Sequence, residues 1–166
     1  MAVVEGEATV DDVDAFVAAL GSIGDEYSVA VQAFDARYVV GRDHLEQAVR
    51  LANRAADRDE QIARDRAVEI LLYAAGRRQI NKALAMGVDQ GTTPAVVVVD
   101  GLDADADERG AATAVETMLD PAETLGAYDR ERVLEFFDIS ETELAATDGT
   151  LEDIVCERVA LLTVDR

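Results

Sequence analysis

The most constraining feature of this chain is the run Thr92 to Asp100, TTPAVVVVD. Four consecutive valines suit an extended backbone, where β-branched side chains keep their preferred rotamers. In a strand, successive side chains point to opposite faces. An unbroken apolar run therefore predicts a strand covered on both sides. Pro94 falls near its start, where a missing backbone donor does least harm. A chain built on such a strand needs layers on both faces of its sheet. The rest of the sequence supplies mainly helices to provide them.

Ala2 to Ala8 alternates weakly and reads as a second strand. Thr9 and Asp12 give an N-cap pattern for a helix with Val13, Phe16, Val17 and Leu20 on one face, ended by Gly21 and Gly24. Ser28 to Phe34 reads as a third strand, and Asp35 to Gly41 as a connection with Tyr38, Val39 and Val40 half-buried. From Arg42, the spacing of Leu45, Ala48, Val49, Ala52 and Ala56 predicts a long helix. Arg50, Arg54 and Arg58 make a stripe along it that reads as a solvated face. Ala67 to Ala75 is apolar nearly all round, which predicts a buried helix. Gly76 interrupts it, and a short helix runs on to Met86. Asp103 to Gly110 reads as an acidic loop and Ala111 to Leu119 as a helix. Asp129, the pair Ser140 and Glu143, and the pair Thr150 and Asp153 cap three further helices. The last carries a stripe of Leu151, Ile154, Val155, Val159 and Leu162. The expectation is one α+β domain over residues 1–166, with a mostly antiparallel or mixed sheet of three to four strands wrapped by six to eight helices.

With 166 residues, 49% apolar and no Trp, the core must be aliphatic. No stretch approaches the roughly 18 apolar residues of a membrane span, and the N-terminus lacks the pattern of a signal peptide. A soluble, cytoplasmic protein is expected. One cysteine, Cys156, excludes an internal disulfide framework and a multi-cysteine zinc site, and one histidine, His44, excludes a His-rich metal site. Asp103, Asp105 and Asp107 resemble the start of a calcium loop. Glu108 stands where the loop glycine belongs and Ala114 where the closing Glu belongs, so no metal is expected. No cofactor fingerprint is present. Cys156 reads as a packed thiol and His44 as a packing or capping residue, so no catalytic apparatus is expected. A small enzyme using His44 or Cys156 is the rival reading, and a scaffold without RNA contact is another.

The net charge is −20, with 35 acids, 14 Arg and a single Lys, Lys82. Many acids and almost no Lys resemble adaptation to molar salt, where a Debye length of about 3 Å screens acid–acid repulsion. The bases are also unevenly placed. Between Arg37 and Lys82 ten bases face seven acids, while the remainder carries five bases and 28 acids. Within that basic stretch, Gly76-Arg77-Arg78-Gln79-Ile80 sits between two helices. A helix start offers free N–H groups to phosphate, and Arg offers a planar fork and a stacking face. The final helix, with its apolar stripe and Arg158, is the other feature above background.

The segment Tyr73-Ala74-Ala75-Gly76-Arg77-Arg78-Gln79-Ile80-Asn81-Lys82-Ala83-Leu84, with the lead-in Glu69-Ile70-Leu71-Leu72, resembles the kinase-binding small subunit of the KEOPS complex, the TPRKB or PRPK-binding protein family. Asp43-His44-Leu45 through Ala52, Ala95 to Val99, and Gly149 to Arg158 match in the same order. The resemblance implies a small sheet wrapped by helices and a non-catalytic subunit without a cofactor. It implies binding to the N-terminal lobe of a kinase-like ATPase, support of that partner's activity, and recruitment of tRNA through its 3′ CCA end. A separate transferase, reached only through the kinase-like subunit, installs threonylcarbamoyl on adenosine beside the anticodon. Carried over to this chain, Gly76, Arg77, Arg78, Gln79 and Ile80 are the candidates for the tRNA end. Ile154, Val155 and Arg158 are the candidates for the kinase contact.

Overall fold

The computed structural model describes residues 1–164. In chain order the elements are β1 (Ala2–Val10), α1 (Val13–Tyr27), β2 (Ala30–Asp35), α2 (Arg42–Asp57), α3 (Arg66–Ala75), α4 (Ile80–Ala83), β3 (Gly91–Asp100), α5 (Glu108–Glu116), β4 (Asp120–Pro121), α6 (Arg130–Phe136), α7 (Glu141–Ala146) and α8 (Leu151–Leu161). The sheet is antiparallel throughout, with strand order β2-β3-β1-β4. The fold is α+β, as expected, with a four-stranded sheet. The chain falls into two compact units: Met1–Ala36 with Gly87–Thr124, and Arg37–Met86 with the segment from Leu125 onward.

The first unit holds the sheet. The valine run is its central strand, with Val97 opposite Val4 on one side and Ala33 on the other. Val97 and Val99 pack with Val4, Ala8, Val10 and Val31 against Leu20 of α1 and Ala111 and Val115 of α5. Val96 and Val98, on the opposite face of the strand, are equally buried. Pro94 lies one residue outside the segment of β3 that β2 pairs.

Four local expectations change. Asp12, and not Thr9, caps α1, because β1 continues to Val10. The helix runs through Gly21 and Gly24 and ends at Ser28 in the left-handed conformation. Gly24 is retained for close approach: a Cβ there would stand 2.8 Å from the Val29 carbonyl oxygen. Val17 lies on the flank of the buried stripe and is 59% exposed. The acidic loop is shorter than expected, because Asp107 accepts from the Gly110 N–H and starts α5 at Glu108. The two-residue β4 is too short for any periodicity to reveal.

The second unit is helical. Leu45, Ala48, Val49 and Ala52 of the predicted stripe are buried in α2, which packs against α3 and α8; Ala56 is only half-buried, and Leu51 and Ala55 are buried instead. From Glu69 to Ala75, α3 is buried on every side. The buried Glu69 carboxylate accepts hydrogen bonds from the N–H groups of Ile62 (2.8 Å) and Ala63 (3.4 Å), so it anchors the α2–α3 connection. The Thr150 and Asp153 capping box forms in full at the start of α8. At α7 only half of the expected box forms. Ser140 accepts from the Glu143 N–H, but the Glu143 side chain turns to Arg158 instead.

Candidate nucleic-acid interface

The corner between α3 and α4 is set by Gly76. Its φ of 62° is a left-handed conformation that disfavours any residue with a Cβ. It lets the Arg77 N–H reach back to the Leu72 carbonyl (3.0 Å) and the Gly76 N–H to that of Tyr73 (3.1 Å), satisfying carbonyls at the helix end. The chain then turns outward for six residues, of which Arg78, Gln79, Ile80, Asn81 and Lys82 are all exposed. Buried Ala83 and Met86 tie the far side of the corner down.

The five candidates at this corner are not equivalent. Arg77 is half-buried: its guanidinium donates to the Phe136 carbonyl and lies 5.0 Å from the centroid of the Phe136 ring. It braces the corner against α6. Arg78, Gln79 and Ile80 face solvent, with Ile80 48% exposed. The Gln79 side chain makes no capping bond to α4. The helix-start contribution expected from the sequence is not available, because α4 is a single turn of four residues and carries almost no aligned dipole. The corner's chemistry rests on side chains alone: guanidinium, amide and an apolar surface. Leu84, one turn beyond Ile80 and 58% exposed, extends that apolar surface. Its spacing of four from Ile80 was the available signal, and the even apolar character of 83–86 obscured it.

The second set of candidates is placed differently. Ile154 and Val155 are buried where α8 packs on α2 and α3, so their side chains are surrounded by this chain's own helices. Arg158 donates to the carbonyls of Phe137 and Asp138 (both 3.2 Å) and to the Glu143 carboxylate (2.7 Å). Together with Arg77 it satisfies carbonyl groups at the C-terminal end of α6, where positive charge is favoured. The outward side of α8 presents Asp153, Glu157 and Leu161.

The two residues of the rival catalytic reading are also resolved. His44 is fully buried, edge-on to Phe137. Its Nδ1 accepts from the Val40 N–H (3.3 Å), so its Nε2 carries the proton and donates to the Ala74 carbonyl (2.7 Å). Burial pushes its pKa down to about 4, against the opposing pull of that carbonyl. The Cys156 thiol is pushed up to about 11, by burial first and then by the Glu152, Asp43 and Asp153 carboxylates. Among the described residues no group of three or more His, Cys, Asp or Glu side chains could hold a metal ion. None of their helices is long and apolar enough to cross a membrane.

Known proteins bear on this geometry in one way. No curated protein matches the chain significantly. The family model described as kinase binding protein CGI-121 matches residues 10–163, which include the exposed corner, α8 and three of the four strands in full. A kinase is thus the partner class of this protein, and the chain belongs to the CGI-121 family of kinase binding proteins.

Proposed function

We propose that this chain is a non-catalytic subunit of a KEOPS-type complex, binding its kinase-like ATPase and recruiting tRNA through the unpaired 3′ CCA end for threonylcarbamoyladenosine formation. The observation that carries the reading is the joint exposure of Arg78, Gln79 and Ile80 on a corner held rigid from behind. Unpaired RNA is recognised by stacking and by hydrogen bonds to base edges. Ile80 offers a face for a terminal base, Gln79 can donate to and accept from a base edge, and Arg78 can stack or grip one phosphate. Such a site tolerates salt better than a broad electrostatic surface, whose affinity falls steeply as counterions compete. That suits a chain whose acid-rich composition points to a saline medium.

The non-catalytic reading is supported by the state of the two rival residues. His44 has both ring nitrogens bonded inside the core, and the Cys156 thiolate is strongly disfavoured. For the kinase contact, α8 contributes through its outward residues Glu157 and Leu161. Ile154, Val155 and Arg158 shape that helix from within. The test is tRNA binding with and without the terminal CCA. At roughly 1–3 kcal/mol per stacked base, removal of the tail is expected to weaken binding at least fivefold. Equal affinity for both tRNAs would defeat the reading.

A further inference from the structure

The stripe of Arg50, Arg54 and Arg58 reads from sequence as an ordinary solvated face, but its surroundings are unusual. The chain has more than two carboxylates for every base, and Arg42, Arg130, Arg132 and Arg158 all pair with one. Among the described residues Arg50, Arg54 and Arg58 pair with none. Arg54, in the last turn of α2, and Arg58, at its C-terminal cap, line a cleft of about 140 Å³ together with Leu51, Ala55, Glu60, Tyr73 and Thr163. Its floor is buried: Leu51, Ala55 and Tyr73 are almost wholly inaccessible. Two guanidinium groups beside a low-dielectric floor attract an anion more strongly, and are less screened by salt, than the same groups on an open surface. Glu60 at the rim opposes this and leaves an excess of one positive charge.

Tyr73 ties this cleft to the corner. It stands one helical turn before Gly76 on α3, so both sites lie along that helix: the Arg78-Gln79-Ile80 surface follows its C-terminal end, and the cleft lies back towards its start, on the side where Asn53 of α2 meets Arg66. We propose that Arg54 and Arg58 bind a backbone phosphate of the tRNA whose 3′ end occupies the corner. The cleft would thereby fix the direction in which the strand leaves. This rests on the tRNA reading above. The planar fork of Arg suits a phosphodiester, which presents two equivalent oxygens. The contact carries no sequence information; it sets position.

The experiment compares wild type with the Arg54→Gln/Arg58→Gln double variant in tRNA binding across a salt series. Both side chains are exposed, so the variant is expected to melt with the wild type. Its affinity for intact tRNA should fall about tenfold at moderate salt. Its plot of log affinity against log salt should flatten by about 0.7 to 0.9, the loss of one neutralised phosphate. Glu60→Gln should move affinity upward, by about twofold. Unchanged affinity and slope in the double variant, while CCA removal still weakens binding, would overturn the cleft and leave the corner intact. Loss in the double variant with no effect of CCA removal would uphold the phosphate contact and overturn end recognition. Inorganic phosphate is the control for a free anion. If it raises the melting temperature of the wild type alone while both proteins bind tRNA equally, the cleft belongs to a small anion and the proposal fails.

Discussion

The α3–α4 corner and α8 look alike in sequence. Each combines apolar residues at helical spacing with an arginine, and each matches a segment of one family. In the structure they differ in what their side chains touch. Along α8, Ile154 and Val155 close the unit's own core and Arg158 is bonded to three oxygen-bearing groups. At the corner Arg77 is used in this way. Arg78, Gln79 and Ile80 are turned outward by the left-handed residue that ends α3. A residue pattern can thus name two candidate surfaces, while burial decides which one presents its side chains to a partner.

The widest separation between the two regions should appear in stability. Ile154→Ala removes buried methylenes and leaves a cavity, so denaturant unfolding should show a loss of about 2–5 kcal/mol. Ile80→Ala should change stability by less than about 0.5 kcal/mol, as for most exposed sites. Equal losses would erase the distinction between α8 and the corner.

The histidine behind α8 and α6 sharpens the same contrast through pH. His44 is neutral in the fold down to about pH 4, whereas an unfolded histidine protonates near 6.5. The unfolded state therefore binds the extra proton first, and stability falls as pH drops from 6.5 towards 4. The full effect is about 3 kcal/mol. Denaturant curves at pH 7 and pH 4.5 measure it, and the difference should shrink by most of that amount in His44→Gln. No corner substitution should alter it. At the boundary itself, Gly76→Ala should cost about 1 kcal/mol for its left-handed backbone. It should also lower tRNA affinity by shifting the residues that follow. Wild-type stability in that variant would show that the turn is not strained.

Much of the molecule was legible in the residues. The valine run named the central strand because β-branching and two-sided burial leave few alternatives. The Thr150 and Asp153 box marked the start of α8, and Gly76 marked the end of α3. What could not be read was set by tertiary contact. Gly24 looked like a helix stop, yet the backbone packed against it makes glycine useful inside the helix. Glu143 looked like half of a capping box, yet Arg158, fifteen residues away, competes for its carboxylate. Arg77 and Arg78 are chemically identical neighbours. Only the position of the Phe136 ring and carbonyl assigns one to bracing and leaves the other at the surface. The Arg54 and Arg58 cleft was hidden for a similar reason, because its walls come from α2, α3 and the turn after α8.

The most direct measurement is the dissociation constant of intact tRNA for wild type and for Ile80→Glu, taken where both are fully folded. Placing a carboxylate where the terminal base should rest is expected to weaken binding by at least tenfold while leaving the melting temperature and kinase binding unchanged. Undiminished tRNA affinity in that variant would contradict the assignment of the corner.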